Sequence, residues 1–165
     1  MRWLRFAVLI LVVTVLQAGL VDIIAVSRLN IKPDLLLILM VFFSIYCNQQ
    51  EAVITSFTIG FAADIIGSAM GPRIISFGLF GTLLSYLHGA ITIKRMSYQS
   101  LAIFISGLLT GAMAHFLTLL KGQPTTANAY TVVFWTSVYS SIVGPFLFLP
   151  TAWWMRIKTH RSGQH

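Results

Sequence analysis

The chain has 165 residues, of which 57% are hydrophobic and 9% charged. Soluble domains carry about 25% charged residues, so this composition excludes one and indicates an integral membrane protein with a single membrane domain. The formal net charge is +7, but the basic residues sit in short loops and at the termini, which suits membrane topology and anionic headgroups rather than nucleic acid.

The first twenty residues imitate a signal peptide, with Arg2 and Arg5, an apolar run, then Gln17-Ala18-Gly19. The run continues to Val26, broken only by Asp22, and reads as a retained first span over 3–26, long enough for the ~20 residues a bilayer core requires. No cysteine follows Gly19, which removes the lipoprotein reading. The polar loop that follows ends in a helix start: Pro33 fits a first turn and Asp34 complements the positive end of a helix dipole. The second span, 31–47, has an apolar run only from Leu35 to Tyr46, and a run that short is equally re-entrant or interfacial. Cys47 stands alone, excluding an intrachain disulfide and a cysteine metal cluster.

After the turn Cys47–Glu51 a third span is expected over 52–68, and after Gly71-Pro72-Arg73 a fourth over 74–93. Gly78, Gly81, Ser85 and Gly89 form a small-residue stripe on the fourth, and Gly107 and Gly111 a GxxxG match on the fifth, over 101–120. Small residues let helices approach closely in lipid, so Gly78, Gly81, Gly107 and Gly111 are assigned to helix packing. A loop from Lys121 to Tyr130 leads to the sixth span, 132–155, with Pro145 inside it and Trp135, Trp153 and Trp154 towards its ends. Residues 156–165 form a short polar cytoplasmic tail.

Six spans, or four if the second and third are a re-entrant pair, place both termini on one side. With the termini inside, Arg2, Arg5, Lys94, Arg95, Arg156, Lys158 and Arg161 are inner, and Arg28, Lys32, Arg73 and Lys121 outer. Seven basic residues against four favour cytoplasmic termini. Asp22, Asp34 and Asp64 then share the outer half with Arg28, Lys32 and Arg73, while Glu51 faces in. We expect a paired network around Asp34 and Asp64, with Asp22 a separate helix-end residue.

Asp64 is the centre of the stretch Gly60–Arg73. It shares a helical face with Gly60 and Ser68, and a carboxylate in an apolar helix is a functional candidate by default. The plainer alternative is that it caps backbone groups or pairs with Arg73. No nucleophile elbow, phosphate-cradling loop or His-x-x-x-His spacing occurs, so neither an enzyme nor a metal or other cofactor is indicated. His115 follows Gly107 and Gly111 on one face and is expected to hydrogen-bond across a helix contact.

Two stretches together resemble the MreD family of bacterial rod shape-determining proteins. Lys32-Pro33-Asp34-Leu35-Leu36-Leu37 resembles the family's Pro-Asp-Leu-Leu-Leu opening of the second span, and Gly60, Phe61, Asp64, Gly67, Gly71 and Gly78 resemble its Gly-x-x-x-Asp-x-x-Ser-Gly-x-x-x-Gly segment. Here Gly67 precedes Ser68, inverting the family's Ser-Gly order, and Pro72 follows Gly71. The resemblance implies an all-α, six-helix transmembrane bundle similar to the substrate-binding subunits of energy-coupling-factor transporters, multi-pass in the bacterial cytoplasmic membrane. It implies a non-enzymatic scaffold of the wall-elongation complex that binds an MreC-like periplasmic partner and, indirectly, MreB, RodA and its transpeptidase, helping to position peptidoglycan synthases. Lys32, Pro33, Asp34, Gly60, Asp64, Gly67, Ser68, Gly71 and Arg73 are the candidate docking residues. The competing expectation is a small-solute-binding membrane subunit of a vitamin-type transporter, with Asp34 or Asp64 touching the solute. It is disfavoured because the first span lacks an Ala-x-x-x-Ala docking stripe, Ala7 and Ala18 lying too far apart.

Overall fold

The computed structural model describes residues 3–19, 33–67, 71–90, 96–122 and 128–155. These residues form six helices: α1 (Trp3–Gly19), α2 (Leu35–Tyr46), α3 (Gln49–Ile66), α4 (Pro72–Ala90), α5 (Met96–Leu120) and α6 (Ala129–Met155). The expected continuation of the first span to Val26, and the tail 156–165, lie outside the described residues.

The arrangement follows from the character of α2. Its sequence, Leu-Leu-Leu-Ile-Leu-Met-Val-Phe-Phe-Ser-Ile-Tyr, has no polar face, and a helix apolar all round must be covered all round. Every residue from Leu36 to Ile45 is buried, and α2 packs against each of the other five helices. Those five touch in the order α1–α3–α4–α5–α6–α1, a closed ring about the central helix. At 1.5 Å per residue α2 is about 18 Å long, short of a bilayer's ~30 Å core. It is therefore an interior helix of the bundle rather than an interfacial segment.

The ring is apolar outside as well as inside. Leu11, Phe61, Ile65, Leu83, Leu109 and Phe146 are among the large side chains left exposed, a surface that lipid tolerates and water does not. Tyr98–Leu120 and Ala129–Met155 are long and apolar enough to cross a membrane by length and composition. Trp3–Gly19, Leu35–Tyr46 and Pro72–Leu87 are shorter apolar helices.

Two ends of the bundle can be told apart by their chemistry. At one, Phe6, Phe42, Phe43, Tyr46 and Phe148 form a run of mostly edge-to-face aromatic contacts with centroids 4.9–6.1 Å apart. There the Gln99 amide donates to the Tyr46 hydroxyl at 2.8 Å, which draws polar residues into the first turn of α5. This helix consequently starts at Met96 rather than the expected 101. The α1–α6 seam is tied at the same end, where the Trp154 indole N–H donates to the Arg5 carbonyl and Arg5 to the Trp154 carbonyl. The opposite end holds Asp34, the turn between α3 and α4, and Lys121.

Close packing between ring helices uses the glycines. Gly78 accommodates Phe57, Gly81 accommodates Ser56, Gly107 meets Leu37 and Ser137, and Gly111 meets Val133. Several buried hydroxyls are satisfied within their own helices: Ser44, Ser56 and Thr110 each donate to the carbonyl one turn back, whereas the buried Thr14 hydroxyl has no partner among the described residues. Helix α6 continues unbroken through Pro145 and Pro150, with Gly144 beside Pro145 leaving room for Ile103 of α5.

Candidate functional site

The site begins with the last turn of α3. Asp64 is 1% exposed, and its carboxylate is aimed across the following turn at the start of α4. One oxygen accepts from Gly71 N–H at 2.8 Å and Ile74 N–H at 3.0 Å, and the other from Arg73 N–H at 3.1 Å. Helix α4 begins with Pro72, which has no N–H to satisfy, so this one side chain supplies acceptors to the N–H groups flanking and following it. A carboxylate at a helix N-terminus is also favoured by the helix dipole.

Two glycines make the geometry possible. Gly71 has φ +112°, a conformation that L side chains rarely adopt. Gly60, one turn before Asp64, lies against the α4 backbone: a Cβ there would stand 2.8 Å from Ile74 Cα and 2.9 Å from the Arg73 carbonyl oxygen. The missing side chain is what lets α3 and α4 close up enough for Asp64 to reach across.

A second cap lies on the axis of the bundle. Asp34 precedes α2 and accepts from Leu37 N–H at 3.1 Å. The two neighbouring donors are met from the ring: Asp34 N–H donates to Ser140 Oγ of α6, and Leu35 N–H to Gln17 Oε1 of α1, both at 2.9 Å. A helix that starts inside a membrane bundle has no bulk water for its first N–H groups, so these contacts are what make the short α2 tolerable.

Because α2 stops short while the ring continues, space remains above its N-terminus. A half-open cavity of about 290 Å³ is lined there by Asp34, Arg73, Thr110, His115, Thr136 and Ser137, among others. A second, of about 220 Å³, reaches Gln17 of α1 and shares Asp34, Gly67, Arg73, Val132 and Thr136 with the first. The Arg73 guanidinium has no hydrogen bond or ion pair among the described residues.

The expected pairing of Asp34 and Asp64 with Arg73 is not found, while Asp22, Arg28 and Lys32 lie outside the described residues. Among the described residues, Asp34 and Asp64 accept only from backbone N–H groups, each serving as a helix cap. The physical reason is proximity: orphan amides one turn away offer a buried carboxylate its bonds without desolvating a second charge. His115 is likewise corrected, since it sits edge-to-face on Tyr130 with centroids 4.9 Å apart instead of forming a hydrogen bond. Among the candidate docking residues, Gly60 and Asp64 are buried, Pro33 is buried beside the α2 cap, and Asp34, Gly67, Gly71 and Arg73 are partly exposed. Lys32 and Ser68, with Asp22 and Arg28, lie outside the described residues.

Sequence reasoning missed Ser140 and assigned no role to Gln17. The available signal for Gln17 was an amide within an otherwise apolar helix, where an unpaired polar group is costly. No such signal existed for Ser140, one of several serines on α6.

Neither the curated proteins nor the solved structures hold a match to the chain. The family described as rod shape-determining protein MreD matches residues 1–158, almost the whole sequence. Two caps at one end of an apolar helical ring, set on the two stretches that carried the resemblance, thus belong to a member of the MreD family of rod shape-determining membrane proteins.

Proposed function

We propose that this protein is a non-enzymatic scaffold of the wall-elongation complex, which captures an MreC-like partner and so helps position the peptidoglycan synthases. In this reading it is a multi-pass protein of the bacterial cytoplasmic membrane, with both termini cytoplasmic and the Asp34 end facing out. The observation that carries the reading is how the site's polar groups are used. Asp64, Gln17 and Ser140 are committed to holding helix ends, so they shape a surface rather than perform chemistry. Gly67, Gly71 and Arg73, partly exposed beside Asp64, lie at the end where a partner with a membrane helix and an outer domain would meet them.

The test is capture of the tagged protein from its native membrane in mild detergent, with Asp64→Ala and Asp64→Asn at matched folded yield. Recovery of an MreC-like protein with the wild type, weakened in Asp64→Ala, is the expected result. Recovery of an ATPase and a coupling subunit in its place would overturn the scaffold reading in favour of a solute transporter.

A further inference from the structure

The cavity above α2 is lined by opposite charges, Asp34 and Arg73, that do not pair with each other. Asp34 and Arg73 line both of its lobes, yet no ion pair joins them, and the guanidinium has no other partner among the described residues. Charged groups in the membrane-embedded part of a protein are costly unless paired. One oxygen of Asp34 accepts from Leu37 N–H, and the other has no partner among the described residues.

The neutral polar groups add direction. Thr110, Thr118 and Ser137 give their hydroxyl protons to carbonyls of their own helices, at 2.6, 2.8 and 2.8 Å. Their oxygens therefore have only lone pairs left to offer, and they line the cavity as acceptors, like Asp34. Arg73 is the donor in the lining, and the Lys121 ammonium, outside it, lies near Gly71, 2.9 Å from where a Cβ would stand. The wall thus combines several acceptors, Asp34 among them, with the cation of Arg73. The volume of about 290 Å³ lies at the lower edge of the ~300–1,000 Å³ usual for small-molecule sites.

We propose that this cavity binds a small zwitterion, with its ammonium group toward Asp34 and its carboxylate or phosphate toward Arg73. Two sources share that chemistry: the headgroup of an aminophospholipid, and a soluble amino-acid-like molecule. The smaller lobe lies between Gln17 of α1 and Val132 and Thr136 of α6, along the thinnest seam of the ring, which gives a headgroup a lateral way in. The proposal does not rest on partner capture, although Asp34, Gly67 and Arg73 belong to both surfaces, and its binding readouts need no partner, so failure of one proposal leaves the other standing.

The test is native mass spectrometry and thermal unfolding of the full chain after delipidation in detergent. The probes are phosphatidylethanolamine, phosphatidylglycerol with the same acyl chains, O-phosphoethanolamine and alanine. Losing one charge-assisted contact corresponds to about tenfold or more in affinity. We expect phosphatidylethanolamine to be retained over phosphatidylglycerol by about that factor, Asp34→Asn to erase the preference, and Arg73→Gln to weaken retention of both lipids. Asparagine caps a helix as well as aspartate does, so Asp34→Asn removes the charge and keeps α2. Stabilisation by O-phosphoethanolamine or alanine, lost in the same variants, would identify a soluble ligand, and retention of the lipid alone would identify a headgroup. Equal retention of the two lipids without any effect of the soluble probes, a preference that survives Asp34→Asn, lipid retention unchanged in Arg73→Gln, or no binding of any probe would each overturn the proposal.

Discussion

At the scale of single residues, Asp64 is the most consequential polar group in the described structure. Three N–H groups depend on one carboxylate that is itself buried. Hydrogen bonds to a charged acceptor contribute roughly 1.5–3 kcal/mol each, and the contributions do not sum fully when one side chain makes them all. Asp64→Ala is therefore expected to destabilise by about 3–5 kcal/mol, visible as a lower midpoint on denaturant titration in detergent micelles. Asp64→Asn keeps a carbonyl oxygen for Gly71 and Ile74 but turns an amide NH₂ towards the Arg73 N–H. Its cost should be smaller, about 1–2 kcal/mol. Equal effects of the two substitutions would mean that the charge, not the acceptor geometry, is what matters. The importance of Asp64 was legible in the sequence, because a lone carboxylate after Gly60 on an apolar helix stands out. Its partners were not, since the choice between Arg73 and the backbone depends on how closely α3 and α4 approach.

At the scale of elements, α2 shows why length and burial must be read together. Its apolar run and its start at Pro33-Asp34 were plain in the sequence, and so was its shortness. Periodicity carries no information in a helix without a polar face, so nothing local said that five other helices would surround it. The same placement makes its N-terminus dependent on α1 and α6. Gln17→Leu would strand the Leu35 N–H, and Ser140→Ala the Asp34 N–H, each costing about 1–3 kcal/mol. Hydrogen exchange should locate the damage: the amides of Asp34 and Leu35 lose protection while those of Arg73 and Ile74, held by Asp64, keep theirs. A uniform loss across both caps would show that the ring opens as one unit and that α2 is not anchored separately.

For the whole molecule, helix direction alternates along the chain. Arg5 and Phe6 at the start of α1 lie at the aromatic end and Gln17 reaches the Asp34 end; α2 returns to Tyr46, α3 climbs to Asp64, and α6 descends from Val132 to Trp154. This alternation agrees with an even number of crossings, and the excess of basic residues assigned to the aromatic side would face the cytoplasm. The number of apolar segments and the charge bias were readable from the sequence, whereas the ring order was not, because it depends on which small-residue faces find each other. Orientation can be measured directly. In a Cys47→Ser background, Asn48→Cys lies in the exposed turn between α2 and α3, and Asn128→Cys in the exposed turn before α6. A membrane-impermeant maleimide applied to intact spheroplasts should label Asn128→Cys at once and Asn48→Cys only after permeabilisation. The reverse pattern would invert the topology, place the Asp34 cavity on the cytoplasmic side and remove the Gly67–Arg73 turn from the reach of any outer domain. Labelling of both positions without permeabilisation would mean that α3, α4 and α5 do not carry the chain across the membrane an odd number of times.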